Sequence, residues 1–225
     1  MATPRSAAPR GRFITLEGGE GAGKSTQARA LADWLSGQGV EVVVTREPGG
    51  SPAAEAIRSL LVDGPVDLWQ PMTEALLHAA ARHEHLTTTV RPALEAGQWV
   101  VSDRYVDSSL VYQGVGQALG MDRVRALHDL ANDAMQSDLT LWLDLSVETG
   151  LSRAAARGGA DRYERFDRDF HQRLAAGFAA VADADPDRVV RIGADAPVAD
   201  VTTAIIEVVA QRFDLPAAGP GKGRA

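Results

Sequence analysis

Only two of the 23 lysine and arginine residues are lysines, and one of them, Lys24, stands in the octet Gly18-Gly19-Glu20-Gly21-Ala22-Gly23-Lys24-Ser25. The spacing G-x-x-x-x-G-K-S is that of a phosphate-binding loop. A chain that uses arginine almost everywhere else keeps a compact ammonium where phosphate oxygens must be met at close range. Glycines at 18, 21 and 23 would let the backbone turn sharply and aim its N–H groups inward. Lys24 would then bridge the outer phosphates of a nucleoside triphosphate. The Ser25 hydroxyl would hold Mg2+, and the site would extend to Thr26 at the start of a helix.

Such a loop needs a strand before it and a helix after it. Arg12 to Glu17 is a short apolar run of strand type, and Leu31, Trp34 and Leu35 follow Ser25 at helical spacing. Four further strand-like runs, 40–45, 99–103, 139–144 and 188–192, alternate with longer amphipathic stretches. This alternation predicts crossover connections and a parallel sheet covered on both faces, a three-layer α/β P-loop fold with five strands. Ligands in such folds gather at the carboxyl ends of the strands, so the polar residues just past those ends are the ones that matter.

The bulk properties narrow the function classes. At 225 residues the chain can build one sizeable core, and its net charge of -7 argues against broad nucleic-acid binding. With no cysteine it has no disulfide or thiol chemistry, and it carries neither a secretory signal nor an apolar run near the roughly twenty residues of a membrane span. A soluble, cytoplasmic protein without membrane or nucleic-acid partners is expected. Segments 1–11 and 214–225, rich in Pro, Gly and Ala without periodicity, read as disordered tails around a body spanning 12–213.

Past the second strand lies Thr45-Arg46-Glu47-Pro48-Gly49-Gly50, and past the third lies Asp103-Arg104-Tyr105. Each brings a guanidinium and a carboxylate beside the phosphate loop, as a site handling two phosphorylated molecules and a magnesium ion requires. Taken singly, either segment could be a surface ion pair capping a strand.

Together with Ser108-Ser109 and Tyr112-Gln113-Gly114, these motifs resemble those of bacterial thymidylate kinase, over about Phe13 to Phe213. The resemblance implies phosphorylation of dTMP to dTDP with ATP and Mg2+, by a homodimer. The spacing itself supports a nucleotide pocket. If 107–117 is helical, Ser109, Tyr112 and Gln113 share a face at i, i+3 and i+4, and on a helix over Glu74 to Glu95 His78 and Arg82 lie one turn apart. By resemblance, Arg82 bonds the thymine ring, Gln113 supports it, and Tyr112 crowds the place of a ribose 2′-hydroxyl. His78 stands where members of the family often have Phe as the stacking platform. Arg104 and Arg46 would hold the monophosphate, Asp103 would position it or the metal, and Glu20, Glu47 and Arg58 would line the acceptor site.

Phosphoryl transfer spreads negative charge over equatorial oxygens, and an arginine placed there is worth a factor of about a thousand or more. Ala22 leaves the loop without one. The segment 150–168 carries Arg153, Arg157, Arg162, Arg165 and Arg168 around Gly158-Gly159, and two glycines between helical arms suit the hinge of a mobile lid. By resemblance to the subgroup with lid arginines, Arg157 reaches the transferring group, with Arg153 and Arg162 in support at the ATP. The loop at Ala194-Asp195-Ala196 would pack on adenine.

Four other readings of these residues differ in what they require. A zinc site at His78, His83 and His85 lacks a pair at i, i+4, and the last two read as solvated surface. A guanine-dependent switch needs Asn-Lys-x-Asp, impossible with no lysine between Lys24 and Lys222. Motor-type ATPases show paired acids at a core strand end, where this chain has Asp103-Arg104. Another nucleoside or nucleotide kinase would differ only in the base pocket.

Overall fold

The computed structural model describes residues 10–158 and 161–216. Most of both expected tails, and Gly159 of the expected hinge, lie outside the described residues.

Five parallel strands, β1 (Phe13–Glu17), β2 (Val42–Arg46), β3 (Trp99–Asp103), β4 (Leu139–Asp144) and β5 (Val189–Gly193), form one sheet in the order β2-β3-β1-β4-β5. The central β1 is buried along its whole length, and its side chains alternate between the two faces. Ile14 and Leu16 pack with Leu31 and Leu35 of helix α1 (Lys24–Gly37) and with Ile205 and Val209 of a C-terminal helix, while Phe13 joins the core on the opposite face. Thr15, on that second face, meets the Thr140 hydroxyl at 2.7 Å, so the polar atoms that alternation forces inside are paired.

Between β2 and β3 run α2 (Pro52–Val62), α3 (Pro71–His85) and α4 (Arg91–Glu95). After β3 come α5 (Val106–Ser109) and α6 (Met121–Asn132), and the chain finishes with α7 (Val147–Arg157), α8 (Arg168–Ala184) and α9 (Val198–Phe213). The two long helices expected at 74–95 and 107–117 are present, each with a π-helical stretch, Leu86–Val90 joining α3 to α4 and Leu110–Gly116 extending α5. The i→i+5 bonding of such a stretch widens the turn, a feature frequent at functional sites. In this one the second stretch carries Tyr112 and Gln113.

The chain winds outward from β1 to β2, returns through β3, and then crosses to the other side of β1. This reversal opens a crevice at the carboxyl ends of β1 and β3, where the phosphate loop and Asp103-Arg104 emerge.

Candidate active site

The phosphate loop leaves β1 with Gly18, Gly21 and Gly23 at φ of 139, 67 and 88°. Gly21 is also sterically obligatory, since a Cβ there would stand 2.1 Å from the Gly150 carbonyl oxygen. Lys24 Nζ donates to the carbonyls of Gly18, at 3.1 Å, and Gly19, at 2.7 Å. Burial, with Arg104 nearby, brings the lysine down to about 8, against the pull of Glu20 and Asp103. The Ser25 hydroxyl donates to the Asp103 carboxylate across the crevice.

Arg104 takes a left-handed φ of 73°, unusual for a residue with a side chain. Its Nη1 donates to Gly18 O at 3.0 Å and Ser108 Oγ at 3.1 Å, and its Nη2 to Glu20 Oε1 at 2.8 Å. The Tyr112 hydroxyl donates to that same oxygen at 2.6 Å, and the guanidinium lies 4.9 Å from the Tyr112 ring centre. Burial works against the charge on Glu20, but Arg104 and then Lys24 outweigh it and hold the carboxyl at about 2.

Glu17, which ends the apolar β1, was not recognised as a site residue from the sequence. Fully buried, it accepts from Tyr105 N at 2.7 Å and from Ser108 N and Oγ at 3.2 and 2.5 Å, bracing the turn that carries Arg104. Burial and the neighbouring Asp107 raise it to about 7. The only signal was a carboxylate closing an otherwise apolar strand.

The wall expected to receive the acceptor is built on α3, where Glu74, His78 and Arg82 fall at i, i+4 and i+8. Arg82 donates from Nε to Glu47 at 2.7 Å and from Nη2 to Ser109 Oγ at 2.8 Å and Tyr105 O at 3.3 Å. Glu47 is opposed by burial yet held below the usual carboxylate range by Arg82 and His85. His85 is therefore no surface residue. It is fully buried, with Nδ1 2.9 Å from Glu47 and Nε2 2.7 Å from the Thr45 hydroxyl, since it lies three residues after Arg82 on the same face of α3. His83 is exposed, as expected. Among the described residues no cluster of three His, Cys, Asp or Glu could hold a metal.

Tyr163 OH donates to Glu74 at 2.9 Å, so His78 Nε2, 2.8 Å from that oxygen, carries the proton it donates. Burial, then Arg82, lowers His78 to about 3 and keeps it neutral. Gln113 reaches Glu74 with its amide nitrogen at 2.9 Å. Glu74 was missed although its spacing from His78 and Arg82 was legible.

One cavity of 480 Å³ joins these groups, from Lys24, Ser25 and Thr26, past Asp103 and Arg104, to Arg82, Ser109, Tyr112 and Gln113. Glu20, Glu47, Arg58, His78 and Arg157 also line it, Arg58 fixed on the Pro48 carbonyl at 2.7 Å. Arg46 stands apart. Strand alternation sends Glu47 into the cavity and Arg46 away, into an ion pair with Glu55 at 3.0 Å and a second cavity beside Ser25 and Asp103.

Of the lid arginines, Arg162 overturns its expected role at the ATP. It has no solvent exposure, and its fork is used up by Leu61 O at 2.9 Å, Val66 O at 3.0 Å and the Glu74 carboxylate. Arg162 and Tyr163 anchor this half of the segment to the body. Arg153 donates to Ala194 O at 3.1 Å, reaching the loop expected near adenine, and Arg157 pairs with Glu164 while its own side chain stays 63% exposed.

A parallel sheet with a phosphate loop at its switch point and a basic, aromatic acceptor pocket opposite defines a P-loop phosphotransferase. The thymidylate kinase family model matches residues 16–205. The chain is 52% identical over 202 residues to the thymidylate kinase of Alkalilimnicola ehrlichii, covering 89% of this chain and 93% of that one. It is 52% identical over 205 residues to that of Caulobacter vibrioides, covering 91% and 99%. The crystal structure of thymidylate kinase from Ehrlichia chaffeensis superposes with a TM-score of 0.73 at 32% identity, covering 89% of this chain and 99% of that one. The chain belongs to the thymidylate kinase family.

Proposed function

We infer that this protein carries out the reaction its family is named for, transfer of the γ-phosphoryl group of ATP to the 5′-phosphate of dTMP, giving dTDP and ADP for nucleotide biosynthesis. The observation that supports this best is the single cavity leading from Lys24 and Ser25 past Arg104 to Arg82 and Gln113.

An oxygen of the dTMP phosphate attacks the γ-phosphorus in line while the bond to the β–γ bridging oxygen breaks and ADP departs. That oxygen is already anionic near neutral pH, so no strong base is needed. Catalysis then rests on positioning and electrostatics. Lys24 and the inward N–H groups of the loop hold the ATP phosphates, and Arg104, with Glu20 and Tyr112 fixing its fork, faces the incoming monophosphate. Arg157 reaches the transferring group once it leaves Glu164, and Arg153 supports the adenine side. Ser25 and Asp103 offer the hard oxygen donors a magnesium ion requires, and Mg2+ there would neutralise charge on the β- and γ-phosphates.

The enzyme is read as a cytoplasmic homodimer. Among the described residues no helix is long and apolar enough to cross a membrane. The test is ADP release from ATP-Mg with dTMP, dUMP, dCMP, dGMP or thymidine offered separately. Strong preference for dTMP is expected, and equal turnover without any acceptor would overturn the reading.

A further inference from the structure

Glu74 has no solvent exposure, yet four donors converge on its carboxylate. One carboxylate oxygen pairs with Arg162, and the other accepts from Gln113 Nε2 at 2.9 Å, Gln117 Nε2 at 2.6 Å and Tyr163 OH at 2.9 Å. Paired in this way, it is an acceptor only. An amide facing it must present its NH2 group, because the opposite flip would put two oxygens in contact. The usual ambiguity of an amide is therefore settled here by chemistry.

The consequence lies at the other end of the Gln113 amide. Its Oε1 is buried without a hydrogen-bond partner among the described residues, in a side chain that lines the cavity. Such an atom costs stability unless a ligand donor meets it. Arg82 supplies the complement. Its Nε and Nη2 are committed within the protein, and among the described residues Nη1 makes no hydrogen bond. On these two cavity-lining side chains one acceptor, Gln113 Oε1, and one donor, Arg82 Nη1, are left over for a ligand. Thymine presents an N3–H donor beside an O4 acceptor, whereas cytosine presents an N3 acceptor beside an amino donor.

We propose that Glu74 is the positioning residue that makes the acceptor pocket choose thymine over cytosine, by locking the Gln113 amide with its oxygen toward the base. This deepens the dTMP kinase reading and rests on it. Uracil shares the imide edge of thymine, so Glu74 treats dUMP and dTMP alike.

The test is Glu74→Gln. Arg162 needs an acceptor, so the new amide keeps its oxygen there and turns its NH2 toward Gln113, which flips in response. Efficiency (kcat/KM) with dTMP and dUMP should fall together and by much more than that with dCMP, whose N3 gains a donor while its amino group still faces Arg82 Nη1, lowering the dTMP to dCMP ratio by about tenfold or more, with the ATP Michaelis constant unchanged. An equal fall for all three acceptors would show a merely structural role and overturn the proposal. Wild-type enzyme that does not prefer dTMP over dCMP would instead overturn the kinase reading on which it rests. A second measurement needs no folded variant at position 74. In the wild type, the Gln113 side-chain NH2 resonances, assigned by their loss in Gln113→Leu, should exchange slowly and shift little when dTMP binds. NH2 protons that exchange freely or shift strongly with dTMP would mean that the amide faces the base the other way.

Discussion

Arg162 and Glu74 form an ion pair, 88 residues apart in sequence, in which neither side chain is open to solvent. Arg162→Ala would strand a buried carboxylate and free two carbonyls, Leu61 and Val66, from their donor. A loss of about 3–5 kcal/mol in unfolding free energy is expected, measured by urea denaturation. Adding Glu74→Leu to Arg162→Ala should cost less than the sum of the two single changes. A midpoint shift no larger than that of a surface substitution would contradict the arrangement.

Arg157 lines the cavity from an exposed position, held by Glu164. Arg157→Ala should lower the turnover number by about a thousandfold while changing the ATP Michaelis constant little. Steady-state kinetics at saturating dTMP reads both quantities. Equal turnover in wild type and variant would remove this arginine from the mechanism.

At Gly21 the backbone has φ of 67° and the Gly150 carbonyl leaves no room for a methyl group. Gly21→Ala should cost about 1–3 kcal/mol of stability and weaken ATP binding more than dTMP binding, since the loop must shift. Titration calorimetry with each nucleotide separates the two effects. Unchanged ATP affinity would mean that the loop tolerates the side chain.

His78 gives a signed pH prediction. Its folded value of about 3 lies below the 6.5 of the free side chain, so between those values the unfolded chain binds a proton that the folded protein does not. Stability therefore falls on acidification through this window and is insensitive to this group above it. His78→Phe, whose ring can still stack on a base, should lose less melting temperature than the wild type between roughly pH 7.5 and 5. An identical loss in both proteins would count against a neutral, half-buried His78.

The elements were legible because their signals are periodic and local. All five strands and the phosphate loop follow from apolar runs, glycines and one lysine. Helical spacing put Ser109 with Gln113, and His78 with Arg82, on shared faces, and the family resemblance gave those faces their expected roles. What stayed hidden depends on contacts far apart in the chain. Arg162 looks like its neighbours Arg157 and Arg165 in sequence, and only the packing of the α2–α3 connection against it turns it into a buried anchor. His85 was read as solvated because nothing local reveals that Thr45 and Glu47 of another element receive its ring. Arg46 and Glu47 are adjacent, and strand alternation sends only one of them into the cavity. Glu17 and Glu74 needed no new information beyond suspicion of a carboxylate in an apolar run or at a repeating helical offset.

The scarcity of lysine leaves the folded body with a single primary amine on its side chains, since Lys24 is the only lysine before Lys222. That amine sits in the cavity with its proton affinity lowered to about 8. An acylating group carried on the terminal phosphate of a nucleotide would thus meet one side-chain amine where it docks. The donor site comes with its own unique chemical tag, and the mass of one labelled peptide would report how many copies are occupied.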